Sequence, residues 1–328
     1  KLPIFPSPTH TQRLTGQVHF NRGVGWTPAT DFPLEPAWLE GLSSQGALVL
    51  RAESDTNLQP EAYRLRLQPE EILLQAGDRR GFFYGLTSLK QLLNREESLP
   101  ALEIQDEPAL KIRGIMLDIS RTKVPTLESL MDRIKVLAHL RYNQLQLYTE
   151  HTFAFPRHEK VWRDASPLTS EDYQVIQDYC HQWCIELVPN LNSFGHMERW
   201  IRHADYHHLA EHPGSFKNHW GTTYPHGTTL KPNDDSADFM ESLYRDFLPR
   251  FQSPYFHLGG DETWDLGKGW SRAKVEAEGL GPVYGQHLQR LAQRVEKFGK
   301  IPQFWADIII NHPETLNDLP RPSVPVLW

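Results

Sequence analysis

One stretch of this chain indicates both its fold and its chemistry: Tyr255-Phe256-His257-Leu258-Gly259-Gly260-Asp261-Glu262. Its first four residues have the composition of a short buried strand, and the two glycines allow the backbone to turn sharply or to approach a ligand closely. Two carboxyl groups at a strand exit can have different environments, so that one stays ionised while the other keeps its proton near neutral pH. An Asp-Glu pair after Gly-Gly is more often a solvated turn. The surrounding sequence therefore has to decide between the two interpretations.

The composition argues against several classes of protein. A net charge of −7 over 328 residues provides no basic surface for nucleic acid. No apolar run approaches the roughly 20 residues that a membrane span needs, and the chain begins without a basic and apolar leader. We therefore expect a soluble protein, either cytoplasmic or periplasmic or secreted after processing. Cys180 and Cys184 form neither a disulfide framework nor a zinc spacing, so they are predicted to be packing residues on a helix.

Residues 1–110 are predicted to form a small α+β domain. Short alternating segments predict strands at 17–20, 47–51, 62–67 and 72–75. A helix from Gly81 through Leu93 follows, with leucines recurring on one face. Asp106-Glu107-Pro108 is typical of a domain boundary, so the second domain is expected at 111–328.

Strands alternate with helices throughout this second domain. Strands are predicted at 112–118, 143–148, 185–190, 255–258, 302–305 and 324–328. A cap at Thr126 and a capping box of Thr169 and Asp172 predict the starts of two helices, and the apolar spacing around Leu288 predicts a third. This alternation favours an α/β fold with a (β/α)8-type TIM barrel, whose functional groups collect at the carboxyl ends of the strands.

A complete barrel of this type has eight strands in about 250 residues. Only six strands are predicted, so the last two are expected to be absent from this chain. An open, doubly wound sheet would accommodate six strands and is the alternative architecture. The polar and aromatic residues after successive strands favour the barrel.

The candidate site residues follow these strands one after another. They are Arg121 after the first strand, Glu150 after the second, His196 after the third, Asp261, Glu262 and Trp264 after the fourth, Trp305 and Asp307 after the fifth, and Trp328 at the end of the sixth. An arginine could bind vicinal sugar hydroxyls with its rigid fork of donors, although a surface ion pair is an equal alternative. Tryptophans at several strand exits could enclose an acetyl methyl group, unless they are scattered core residues. The histidines from His203 to His226 include pairs spaced by four, but no carboxylate motif accompanies them, so no metal site is predicted.

Together these residues resemble the family 20 glycoside hydrolases, chiefly β-N-acetylhexosaminidases. The resemblance is carried by residues 257–262, by Arg113-Gly114-Ile115-Met116-Leu117-Asp118-Ile119-Ser120-Arg121, by Gly195-His196 before Trp200, and by the order of small domain then barrel. Many members have paired aspartates after the second strand. Glu150-His151 stands there in this chain, which is similar to a bacterial subgroup of exo-acting enzymes.

The resemblance implies hydrolysis of terminal N-acetyl-β-D-glucosaminides or galactosaminides with retention, through attack by the substrate's own acetamide and an oxazolinium intermediate. Asp261 would orient the acetamide and stabilise the charge developing on it, and Glu262 would act as general acid and then as base. The family pattern further implies that Arg121 binds the 3- and 4-hydroxyls, that His196 supports the proton of Glu262, and that Trp305 and Trp328 enclose the N-acetyl group. The family's tyrosine on strand seven and its tryptophan and acid on strand eight have no counterparts before Trp328.

Three alternatives stay open on the sequence alone. The first is a sugar-binding protein that keeps the fold without catalysis. The second is a metal-dependent barrel hydrolase, which would usually carry His-x-His on the first strand, where Asp118-Ile119-Ser120 stands. The third is a chitinase-like endo-hydrolase, whose Asp-x-x-Asp-x-Asp-x-Glu motif is missing. A carbohydrate substrate is expected, with no cofactor and no nucleic-acid or membrane partner, and a homodimer stays open.

Overall fold

The computed structural model describes residues 2–20, 23–27, 34–42, 46, 48–95, 97–218 and 220–327. The chain divides into two compact units. The first comprises Lys1–Arg113, Asp132–Asn143 and His181–Ile185, and the second comprises Gly114–Met131, Gln144–Cys180 and Glu186–Trp328. The predicted boundary between residues 110 and 111 stays a prediction.

The first unit contains a mixed sheet and one long helix. The strands are β1 (His10–His19), β2 (Val24–Thr27), β3 (Leu48–Ser54), β4 (Tyr63–Leu67), β5 (Glu71–Ala76) and β6 (Ser98–Asp106), in the spatial order β1-β6-β4-β5-β3-β2. Helix α1 (Arg79–Leu93) packs against β4 and β5, and its leucine face is buried. The Asp78 side chain caps α1 by accepting a hydrogen bond of 2.8 Å from Gly81 N. A short 3₁₀ helix, Pro36–Leu39, lies between β2 and β3.

Three strands of this sheet depart from the sequence prediction. The strand predicted at 17–20 is the end of the longer β1, and neither β2 nor β6 was predicted. Most of β1 is polar and exposed, so it lacks an apolar alternation, while Pro100 argues against a central strand at β6. Backbone pairing between β1 and β6, and between β6 and β4, forms these strands instead. Ala47, at the start of another predicted strand, lies outside the described residues.

The second unit contains six parallel strands in chain order. They are β7 (Gly114–Asp118), β8 (Gln144–Tyr148), β9 (Glu186–Val188), β12 (Tyr255–His257), β13 (Ile301–Trp305) and β14 (Val324–Val326). The first three pair in parallel, and so do the last three. A parallel bridge between Asn190 and His257 joins the two sets. The six strands predicted from the sequence are therefore confirmed, with small differences at their ends.

Helices occupy every connection between these strands. They are α2 (Leu127–His139), α3 (Glu159–Trp162), α4 (Ser170–Gln182), α5 (Glu198–Ile201), α6 (Asp234–Phe247), α7 (Arg272–Glu278), α8 (Leu280–Glu296) and α9 (Asp307–Asn311), with 3₁₀ helices at Ala204–Leu209, Leu248–Arg250 and Pro313–Asp318. A hairpin of β10 (Phe216–Lys217) and β11 (Thr223–Tyr224) lies between α5 and α6. The capping box before α4 is confirmed, since Thr169 N donates to Asp172 Oδ2 over 2.8 Å and Asp172 N donates to Thr169 Oγ1 over 3.1 Å.

Both cysteines are buried, as predicted for packing residues. The helix prediction is correct for Cys180 and wrong for Cys184. Helix α4 ends at Gln182, and Cys184 has a φ of +60° in the turn that leads into β9. Among the helices in the described ranges, none has the length and apolar composition of a membrane-spanning segment.

Candidate active site

The turn after β12 is built from two glycines in a left-handed conformation. Gly259 has a φ of +77° and Gly260 a φ of +94°, which side chains disfavour. A Cβ atom on Gly259 would lie 1.9 Å from the side-chain oxygen of Asn192, so glycine is required there for space as well. The chain therefore packs directly on the segment after β9 before it reaches Asp261.

The backbone conformation of Glu262 and its hydrogen bonds determine where the Glu262 side chain lies. Its φ of +47° is left-handed, a conformation that costs a non-glycine residue about 1–2 kcal/mol. Glu262 N donates to Asp307 Oδ2 over 3.1 Å, and Trp264 N donates to Glu262 O over 2.7 Å. These bonds maintain the strained turn, which leaves the Glu262 side chain 28% exposed.

Asp261 is buried, and the described residues provide a hydrogen bond to only one of its two carboxylate oxygens. It is 4% exposed, and His196 Nε2 donates to its Oδ2 over 3.0 Å. Within the described ranges, its other oxygen, Oδ1, is buried without a hydrogen-bond partner. The same His196 Nε2 lies 3.4 Å from Glu262 Oε2. One imidazole thus lies between the two adjacent carboxyl groups, and Asp261 Oδ1 is an acceptor that a donor on a substrate can satisfy.

A third carboxyl group, that of Glu150, approaches the same imidazole from the end of β8. Glu150 Oε1 lies 3.8 Å from His196 Nδ1 and 3.8 Å from Arg121 Nε, and it accepts a hydrogen bond of 2.9 Å from the Tyr148 hydroxyl. Arg121 Nε also donates to Asp118 Oδ2 over 2.7 Å, and the guanidinium lies 4.7 Å from the centre of the Tyr148 ring. Arg121 is 56% exposed, so its remaining donors are available to a ligand.

Burial and neighbouring charge shift the pKa values in this cluster. Burial, followed by the negative charge of Glu198, raises the pKa of Glu150 to about 7. Burial alone would lower the pKa of His196, but hydrogen bonds to Asp261 and Glu262 and the charges of Asp261 and Glu150 outweigh it and raise the pKa to about 10. His196 is therefore an imidazolium at neutral pH, surrounded by carboxyl groups.

Residues 111–321 match the sequence model of "Glycosyl hydrolase family 20, catalytic domain", and residues 27–107 match "Glycosyl hydrolase family 20, domain 2". The chain belongs to glycosyl hydrolase family 20. The family predicted from the sequence is thereby confirmed.

Two curated family 20 relatives have the name Beta-hexosaminidase. The protein from Akkermansia muciniphila is 27% identical over 307 residues, which cover 83% of this chain and 61% of the relative. The protein from Porphyromonas gingivalis is 26% identical over 247 residues, which cover 67% of this chain and 31% of the relative. The chain thus spans less than two thirds of the length of these relatives.

The fold is also similar to solved structures of family 20. The exo β-N-acetylglucosaminidase of Vibrio harveyi, solved in complex with N-acetylglucosamine, matches with a TM-score of 0.80 at 22% identity, over 99% of this chain and 57% of that chain. The family 20 structures have a TIM barrel and a preceding domain. The parallel strands and the intervening helices of the second unit agree with this architecture.

The structure brings together most of the residues predicted for the family 20 site. Side-chain contacts form one continuous network of Arg121, Glu150, His196, Asp261 and Glu262. The half-buried ring of Trp264 lies 6.0 Å from that of His196, and Trp305, whose ring lies 4.6 Å from that of His257, donates its backbone N–H to Gly259 O over 3.0 Å. The carboxylate of Asp307 binds the Glu262 amide, so its predicted contact with substrate stays a prediction. Trp328 lies outside the described residues.

Three contributors were missing from the prediction. Tyr148 links Glu150 to Asn192, whose Nδ2 donates to the Tyr148 hydroxyl over 2.5 Å, and Ser120 Oγ accepts a hydrogen bond of 2.7 Å from Glu150 N. Ser120 and Tyr148 lie within two residues of a predicted site residue, and Asn192 follows a predicted strand. These positions were the only features of the sequence that could have indicated their part in the site.

His196, Asp261 and Glu262 also place ligand atoms within 4.8 Å of one another, the one such group found in the described part of the chain. A cation there would have to replace the hydrogen bonds that join these side chains. The histidine pair His203 and His207 does not have the geometry of an α-helical ligand pair, because Ala204–Leu209 is a 3₁₀ helix.

Proposed function

We propose that this protein is an exo-acting β-N-acetylhexosaminidase, which removes terminal N-acetyl-β-D-glucosamine or N-acetyl-β-D-galactosamine by substrate-assisted retaining catalysis. The observation that carries the proposal is the division of roles between two adjacent acids. Asp261 is buried with one oxygen bonded to His196, while Glu262 extends to solvent. Membership of family 20 and the names of its curated relatives support the same activity.

In the first step, the acetamide oxygen of the substrate bonds to the anomeric carbon as the glycosidic bond breaks. Glu262 gives its proton to the leaving oxygen, and the sugar becomes an oxazolinium ion. Asp261 Oδ1 accepts the acetamide N–H and stabilises the positive charge that develops there. In the second step, Glu262 takes a proton from water, which attacks the anomeric carbon and restores the acetamide. Two inversions at this carbon give net retention.

The neighbouring residues position the sugar and the acids. His196 fixes the orientation of Asp261 Oδ2, so that Oδ1 is directed to the acetamide. Arg121 binds two vicinal hydroxyls with the donors that Asp118 leaves available, and Glu150 holds the Arg121 side of the pocket. Trp305 encloses the acetyl methyl group in this proposal. The same role for Trp328 rests on the sequence alone, because this residue lies outside the described residues.

The parallel strands suit this arrangement if they are six strands of a TIM barrel that follows a small domain ending near residue 110. Arg121, Glu150, His196, Glu262 and Asp307 each come from a segment that follows one of the first five strands. Carboxyl ends of parallel strands meet on one face, where the active sites of TIM barrels are found.

The proposal is tested with diacetylchitobiose, in which the leaving group is a poor one that needs a proton. The wild-type protein is expected to release N-acetylglucosamine, and Glu262→Gln to reduce kcat by about a hundredfold to ten-thousandfold, the usual contribution of a general acid. Thr263→Ser on the same loop is the matched control. A sugar-binding protein without catalysis would bind the disaccharide and release no monosaccharide. Near-normal turnover by Glu262→Gln would contradict the role of this acid.

A further inference from the structure

Three aromatic rings cluster beside Glu262, on the β10–β11 hairpin and on the loop after β12. They belong to Trp220, Tyr224 and Trp264, and we call them the aromatic platform. The ring of Trp264 lies 5.2 Å from that of Tyr224 and 5.6 Å from that of Trp220. Trp220 is 66% exposed and Trp264 and Tyr224 are half-buried. Contiguous exposed aromatic surface of this kind is typical of a binding site.

The tip of the hairpin is rigidly built. The buried Asn218 accepts hydrogen bonds at Oδ1 from Trp220 N over 3.1 Å and from Thr222 N over 2.9 Å. Asn218 N also donates to Thr222 O over 3.0 Å, and Gly221 adopts the left-handed conformation that the turn requires. The exposed position of Trp220 therefore follows from a defined turn.

The loop that carries Trp264 is anchored by buried carboxylates. Glu211, which is fully buried, accepts hydrogen bonds of 2.8–3.2 Å from the amides of Gly267, Gly269 and Ser271 and from the Ser271 hydroxyl. Asp265 accepts a hydrogen bond of 2.9 Å from Thr228 Oγ1. Since these bonds hold the backbone that directly follows Trp264, from Asp265 to Ser271, they limit the movement of the Trp264 ring.

The platform lies next to His196 and Glu262, the proposed proton donor. The Trp264 ring is edge-on to that of His196 at 70°, and His196 lies 3.4 Å from the carboxylate of Glu262. Burial raises the pKa of Tyr224, and the negative charges of Glu198 and Glu262 raise it further. In the proposed reaction the proton of Glu262 goes to the glycosidic oxygen, so the leaving group lies next to Glu262 and close to the platform.

We propose that the aromatic platform binds the sugar ring of the leaving group, by stacking its C–H face on Trp264 and Trp220. This inference rests on the proposed hydrolase function and adds a preference for glycan leaving groups over small alcohols. An alkyl leaving group has no flat face to stack on these rings, so it would gain less from the platform than a sugar ring. A methyl leaving group is too small to reach the hairpin.

The test compares two substrates of the full-length protein: diacetylchitobiose, whose leaving group is an N-acetylglucosamine ring, and methyl N-acetyl-β-D-glucosaminide, whose leaving group is methanol. The quantity measured is the kcat/KM for diacetylchitobiose divided by the kcat/KM for the methyl glycoside. Trp264→Ala is expected to lower this ratio about tenfold, which corresponds to ~1.4 kcal/mol of lost stacking. Trp220→Ala, which removes the most exposed ring of the platform, is also expected to lower this ratio.

Trp270→Ala is the matched control, because Trp270 is a 52% exposed indole on the same loop without a ring contact to the platform in the described part of the chain. It should leave the ratio unchanged. An unchanged ratio in both platform variants, or an equal fall in Trp270→Ala, would overturn the inference while the hydrolase function stands. Hydrolysis of neither substrate by the wild-type protein would overturn the proposed function and this inference together.

Discussion

Two groups of residues beside Glu262 are built in different ways. One is a buried cluster, in which every member is hydrogen-bonded to another: Tyr148, Glu150, Asn192, His196 and Asp261. The other is the aromatic platform, whose rings contact one another and reach solvent. Hydrogen bonds fix both direction and distance, which stabilisation of a developing charge requires. Stacking on aromatic rings depends less on exact direction and distance than a hydrogen bond does. It therefore suits the binding of leaving groups that differ from one substrate to another.

This difference indicates which residues should determine each property of the proposed hydrolase. A change of one atom in the buried cluster is expected to affect the chemical step for every substrate. A change in the platform is expected to affect only the choice of leaving group. The following experiments examine the two expectations separately.

Among changes within the buried cluster and the platform, the largest effect is expected from Asp261→Asn, which keeps the size of the side chain and removes its charge. We expect kcat for a nitrophenyl N-acetylglucosaminide to fall by about a hundredfold to a thousandfold, because the charge on the acetamide is no longer stabilised. KM should change little, since the effect belongs to the transition state. Steady-state kinetics provide the measurement. A fall no larger than that of Trp220→Ala with the same substrate would remove the distinction between the two groups.

A smaller effect concerns stability and comes from Glu150. Its pKa is raised from the ordinary 4.5 to about 7 by burial and then by the charge of Glu198. The folded state therefore binds this proton more tightly than the unfolded chain. The resulting stabilisation is complete below the unfolded pKa and disappears as the pH rises through the folded pKa.

Glu150→Gln removes this titration. Between about pH 4 and pH 8, we expect the wild-type protein to lose roughly 3 kcal/mol more unfolding free energy than the variant, at 1.36 kcal/mol for each pH unit between the two pKa values. Denaturant unfolding followed by tryptophan fluorescence measures both proteins. Parallel pH profiles would show that Glu150 titrates as it does in the unfolded chain, and that the cluster does not hold its proton.

The sequence predicts the parallel strands well, because each is a short apolar run next to a helix with a recognisable start. The capping box of Thr169 and Asp172 is one such signal, and it is found in the structure. Strand β6 could not be predicted in the same way, since its partners lie far away in the chain and Pro100 argues against it. The turn at Cys184 likewise depends on how α4 ends, which local apolar spacing does not indicate.

The site follows the same logic. Arg121, Glu150, His196 and the two acids could be predicted to meet, since each lies in the segment that follows one of the parallel strands. The contact between Asp307 and the Glu262 amide could not be predicted, because it depends on the exact turn after β12. The platform was missed for a similar reason: Trp220 reaches Trp264 only through a hairpin whose turn is set by Asn218.

One measurement asks whether the substrate's acetamide is the nucleophile that Asp261 orients. Nitrophenyl glycosides carrying zero, one, two or three fluorines on the acetyl group differ mainly in the electron density of the acetamide oxygen. If the acetamide is the nucleophile, kcat/KM of the wild-type protein falls steeply along this series, by roughly tenfold for each fluorine. Equal values of kcat/KM across the series would contradict it.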